Sequence, residues 1–93
     1  MTILRDLPLG DGGRIVLADS DSLPKETRQR NVFRVDSRWQ TTWQVTDYDP
    51  MPISRFTNVY FTADGSLRGY NFDGGEYNID LETGKCTPGR FLK

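Results

Sequence analysis

The chain of 93 residues contains no histidine. A Ser-His-Asp triad, a Cys-His pair, a histidine-ligated metal centre and imidazole-mediated proton transfer are therefore excluded. Cysteine is nearly absent as well. Cys86 stands alone, so no internal disulfide can form, which fits a reducing compartment and argues against a stapled secreted domain. No stretch approaches the ~20 apolar residues of a membrane-spanning helix. The opening MTILRDLPLGDGG carries Asp6 and a Pro-Gly break where a secretion signal needs a basic start and a continuous apolar run. A soluble, cytoplasmic protein is expected. Excess charge is also missing: 12 Lys plus Arg oppose 13 Asp plus Glu, for a formal net charge of -1. No net field draws the chain to nucleic acid or to an anionic membrane.

What is present is aromatic and turn-forming. Hydrophobic residues make up 35% of the chain, and eleven are Phe, Tyr or Trp. At this length folding buries roughly 60–65% of the unfolded surface, so one core in one domain over 1–93 is expected. Tyr77, Ile79 and Leu81 alternate with Glu76, Asn78 and Asp80, which places three apolar side chains on one face of a strand. Phe33 and Val35 alternate with Arg34 and Asp36, and Trp43 and Val45 with Thr42, Gln44 and Thr46, so the two runs form a hairpin. FTNVYFTA at 56–63 ends at Asp64-Gly65, which supplies positive φ for a tight turn, and the chain returns as LRGYNF. Asp73-Gly74-Gly75 makes the next turn, and 80–84 resembles a type I turn closed by glycine. A last strand follows around Lys85 to Leu92, where Pro88 removes a ladder donor and so predicts an edge. TILRDLPL and RIVLADS flank Gly10-Asp11-Gly12-Gly13 as a first, untidy hairpin. Between residues 19 and 31 Leu23 is the single large apolar residue, too little for a helical face. One turn at most is expected there, with Ser22 as its cap before Pro24. A second irregular link, 47–54, carries Pro50 and Pro52. The predicted fold is all-β: about eight antiparallel strands in a meander of hairpins, closed as a small barrel or stacked as two four-stranded sheets.

A weak internal repeat runs through these strands. NVFRVD at 31–36 is echoed by NVYFTADG at 58–65 and more faintly by EYNIDLETG at 76–84, each a strand entering an Asp-led turn. EYNIDLETGK resembles the strand and turn of a quinoprotein-type β-propeller repeat, and VDSRWQTTWQV is similar to its pattern of Asp turn followed by Trp. The resemblance covers about half of the chain and implies hairpin geometry. A propeller needs at least four blades of four strands and this chain has strands for two, so no quinone or other cofactor is carried over. The matching turn also has Trp39 where such repeats carry Gly. More loosely, the whole chain resembles small uncharacterised bacterial β-proteins, which implies a toxin-neutralising or regulatory role.

Each chemical motif has a plainer explanation. Cys86 beside Lys85 could be an activated thiolate, but it lacks a histidine partner and reads as a half-buried strand residue. GDGGR at 10–14 lacks the Lys-Ser/Thr of a phosphate loop and leads into a strand, so it reads as a hairpin turn. Asp19 with Asp21, and Asp47 with Asp49, could offer oxygens to a hard cation, yet neither pair is followed by a calcium-loop series. Loop aspartates serve turns in any case.

One charge asymmetry stands out. Lys25, Arg28, Arg30, Arg34 and Arg38 fall within fourteen residues and end beside Trp39, a combination that could hold phosphates and stack a base. The acidic total and the absence of a nucleic-acid motif count against that use. Trp39 at a hairpin tip either folds back onto the core or waits for a partner. Trp and Arg are enriched at protein interface hot spots, so Arg28, Arg30, Arg34, Arg38 and Trp39 form the candidate surface for another protein. The leading reading is a non-catalytic protein-binding or regulatory role. The alternative is a small-ligand carrier or histidine-independent enzyme with its site in a barrel mouth, which requires a concave apolar cavity of roughly 300 Å³ or more.

Overall fold

The computed structural model describes residues 1–46 and 54–91. The 47–53 link, with the Asp47 and Asp49 pair, lies outside the described residues. Among the described residues, eight strands form two four-stranded antiparallel sheets, each a simple meander. The first sheet holds β1 (Ile3–Pro8), β2 (Arg14–Ala18), β3 (Val32–Val35) and β4 (Thr41–Gln44). The second holds β5 (Phe56–Phe61), β6 (Leu67–Asn71), β7 (Gly75–Ile79) and β8 (Cys86–Phe91). Of the two closures the sequence left open, stacked sheets are realised and a closed barrel is not. β8 is an edge strand, as Pro88 required. No helix among the described residues is long and apolar enough to cross a membrane.

The core lies between the sheets. Ile15, Leu17, Val32, Trp43 and Val45 from the first sheet meet Phe56, Val59, Leu67, Tyr77, Ile79 and Cys86 from the second. Phe56 is fully buried, its ring edge-on to Tyr77 at 5.9 Å. Gly69 lies so close beneath that ring that a Cβ there would sit 2.6 Å from it. The first hairpin looks untidy in sequence because both faces of β2 are buried. Val16 and Ala18 join Phe33, Val35 and Leu23 in a second cluster. The 19–31 loop thus spends its single large apolar residue as a cover over that second face. The loop holds more than the one turn expected: a 3-10 helix at Ser20–Ser22 is followed by turns closed from the Thr27 N–H to the Pro24 carbonyl and from the Arg30 N–H to the Thr27 carbonyl. The helix is capped by Asp19 rather than by Ser22, the Asp19 carboxylate accepting from the Asp21 N–H at 3.0 Å.

Few polar contacts join the sheets among the described residues; Asn31 makes two of them, both to Phe56, and a third bond ties it to β2 of its own sheet. Its amide donates to the carbonyls of Ala18 at 2.8 Å and Phe56 at 2.9 Å, and its oxygen accepts from the Phe56 N–H at 2.8 Å. At the other end of the core, the Leu81 carbonyl accepts from the Trp43 indole at 2.9 Å and from Arg34 at 2.7 Å.

The repeated aspartates act alike. Asp36, Asp64 and Asp80 each turn a carboxylate oxygen back onto N–H groups of their own turn. In the turn at 62–66 only Gly65 takes positive φ, so Asp64 contributes by its carboxylate and not by its backbone. Hydrogen bonds from the Thr62 hydroxyl and then from Ser66 hold that carboxyl down from 3.8 to about 2. The folded state therefore binds this proton less readily than the unfolded chain. The resulting stabilisation is present above about pH 3.8 and is lost as the pH falls through about 2. Asp64→Asn should flatten the dependence of the urea midpoint on pH across that window. An unchanged slope would show that this carboxylate does not contribute to acid sensitivity.

Candidate functional site

Three of the hairpin turns share one backbone design. In the 9–13, 36–40 and 62–66 turns, the first residue donates its N–H to the carbonyl of the fifth, at 2.8, 2.9 and 2.9 Å. In each, the fourth residue donates back to the first, at 3.2, 2.9 and 2.9 Å. This is a type I turn followed by one left-handed residue. That fourth position is Gly12 with φ 89, Gly65 with φ 85, and Trp39 with φ 63. Trp39 is the single non-glycine residue with positive φ among the described residues. Left-handed backbone costs a residue with a Cβ about 1–2 kcal/mol, so the chain holds its bulkiest side chain where two copies of the same turn use glycine.

The strain is not offset by burial in the core. Trp39 is 51% exposed, which excludes the core reading of this side chain. Its ring is met by the Arg14 guanidinium, 5.6 Å from the centroid. Arg14 in turn pairs with Asp6 at 2.9 Å, and the pairing of Arg14 with Val35 is what carries it to the base of the Trp39 turn. Arg38, next in chain, is exposed. The assembled tip is therefore an indole backed by one arginine and flanked by another. Strain has a specific signature here: Trp39→Gly should be more stable than Trp39→Ala by about 1 kcal/mol, the reverse of the order at an ordinary strand position. Equal urea midpoints for the two variants would show that the turn is relaxed.

The five residues singled out in sequence do not form one patch. β3 separates Arg28 and Arg30, in the loop before it, from Arg38 and Trp39, in the turn after it. Arg34 lies between and is bound into the fold: besides Leu81 it reaches the Asp11 carboxylate at 3.0 Å. The Gly13 N–H and then Arg34 hold the Asp11 carboxyl below its usual range. Three residues escaped the sequence reading. Arg14 became visible only through strand register. Arg55 and Phe72 form a second stacked pair, 4.1 Å from guanidinium to ring centroid. Phe72 is 61% exposed in the β6–β7 turn, where turn chemistry favours polar residues, and the criterion that picked out Trp39 would have found it.

The remaining chemical candidates are occupied structurally. Cys86 is 1% exposed and its thiol lies 2.8 Å from the Thr46 carbonyl. GDGGR is the 9–13 turn with its exit into β2. Glu76, the buried carboxylate among the described residues, accepts from the Tyr60 hydroxyl and from Arg68 at 2.8 Å. A groove of about 550 Å³ runs between the 62–66 and 80–85 turns, but it is open to solvent and Asp80, Glu82 and Lys85 line it beside Leu67, Ile79 and Leu81.

Fold and tip together define a two-sheet antiparallel β domain with an aromatic-cationic turn at one end. Within that class the chain belongs to the family described as domain of unknown function (DUF7957), whose model matches residues 6–91. No curated protein and no solved structure matches it.

Proposed function

We propose that this chain is a non-catalytic protein-binding module, with Trp39 as the anchor and Arg14 and Arg38 around it. One observation carries the reading: a half-exposed indole is retained in a left-handed conformation that glycine occupies in the equivalent turns. Strain of this kind persists where it serves a site. Tryptophan with adjacent arginine is also the composition most enriched where truncation weakens protein complexes. The toxin-neutralising or regulatory character of the partner is carried by the sequence resemblance alone.

The test compares three forms of the full chain as bait in extracts of the native host at moderate salt: wild type, Trp39→Gly and the exposed control Lys25→Ala. A partner identified by mass spectrometry should be recovered with wild type and control and be lost with Trp39→Gly, while melting temperatures stay within a few degrees. Equal recovery with all three baits would remove Trp39 as the anchor.

A further inference from the structure

At the end of the fold away from Trp39, the 3-10 turn, the 19–31 loop, the residues before β5 and the β6–β7 turn converge on a pocket of about 210 Å³. Its lining holds two cations, Arg28 and Arg55, against one carboxylate, Asp21, with Gln29 and Ser54 as neutral polar groups and Phe72 as the apolar wall. The geometry points to a binding site for a compact oxyanion, a carboxylate or phosphate group, gripped between Arg28 and Arg55.

Three features support this assignment. Asp73, beside the lining, accepts from the Ser54 hydroxyl, so the charges around the pocket balance; what favours an anion is that the Asp21 carboxylate leaves Arg28 poorly served, standing 3.9 Å away and 86% exposed. Arg28 Nε has no hydrogen-bond partner among the described residues. Arg55 is held from one side by the Phe72 ring at 4.1 Å. A stacked guanidinium keeps its in-plane N–H donors available, and that planar fork matches the oxygens of carboxylate and phosphate. Phe72 therefore serves as the platform that aims Arg55, which gives an exposed aromatic on a turn a reason to be there. The site is separate from the Trp39 tip and stands or falls independently of it.

The experiment is an amide NMR titration of the full chain with inorganic phosphate and, separately, with succinate, at ionic strength held constant with chloride. Saturable shifts confined to Gln29, Ser54, Arg55 and Phe72, with Trp39 unmoved, are expected for at least one probe. The probe that saturates first identifies the oxyanion. Arg55→Gln and Arg28→Gln should each weaken binding about tenfold or more while the rest of the spectrum is unchanged. Arg55→Lys, which keeps the charge and loses the fork, should fall between. Absence of saturation by either probe into the high-millimolar range would overturn the assignment, as would shifts that persist unchanged in the Arg28→Gln, Arg55→Gln double variant.

Discussion

Asn31→Ala is expected to lower the unfolding free energy by about 4 kcal/mol. The substitution strips partners from three groups at once: the Ala18 carbonyl, the Phe56 carbonyl and the Phe56 N–H. Asn31 is 1% exposed, so water cannot readily replace it. A buried polar group left unpaired costs about 1–3 kcal/mol, and three of them exceed what any exposed hydrogen bond could lose. The scale matters because a domain of this size has roughly 5–14 kcal/mol in total. Asn31→Asp is a close test of the same contact. It preserves the acceptor for Phe56 N–H but turns an oxygen toward two carbonyls, so it should be at least as damaging at neutral pH. Urea unfolding of both variants decides the matter, and a loss below about 1 kcal/mol would mean that Asn31 does not clamp the sheets.

The second large effect is expected at Gly84, and Gly65 is its control. Both have positive φ, 76 and 85, so alanine at either carries the left-handed penalty of about 1–2 kcal/mol. They differ in what surrounds them. A Cβ at Gly65 meets nothing within 4 Å, whereas a Cβ at Gly84 would lie 2.6 Å from the Trp43 ring. That ring is fixed by its indole hydrogen bond to Leu81 and by burial in the core. Overpacking a site of this kind adds about 1–3 kcal/mol. Gly84→Ala should therefore cost about 3 kcal/mol in total and Gly65→Ala about 1. Equal losses at the two positions would show that Trp43 moves aside freely and that the close approach contributes nothing to the core.

Much of this fold was legible in the sequence, for local reasons. A period of two along 76–81, and turn residues such as Gly65, Gly74 and Gly84, report on φ and on side-chain direction within a few residues. Neither depends on what is packed above. The β2 run RIVLA was less legible because both its faces are buried, and the cover for the second face is Leu23 from a loop that carries no periodic signal of its own.

The candidate site divides in the same way. That Trp39 occupies a turn position ill suited to it could be seen from the chain alone, because the conflict is between one side chain and its own backbone. Its exposure, the arginine behind it and the dispersal of the cationic cluster could not. Proximity along a strand places Arg34 midway between Arg28 and Arg38, but strand pairing turns its side chain toward Leu81 and Asp11, while β3 holds the other two at opposite ends. The sequence by itself determined the eight strands, their turns and the misfit at Trp39, since each follows from conformational preferences of neighbouring residues. The tertiary structure alone decided which faces were covered, that Asn31 joins the sheets, and that Arg55 and Phe72 share a pocket with Arg28, because those pairings depend on strand register and sheet stacking, which bring together residues far apart in the chain.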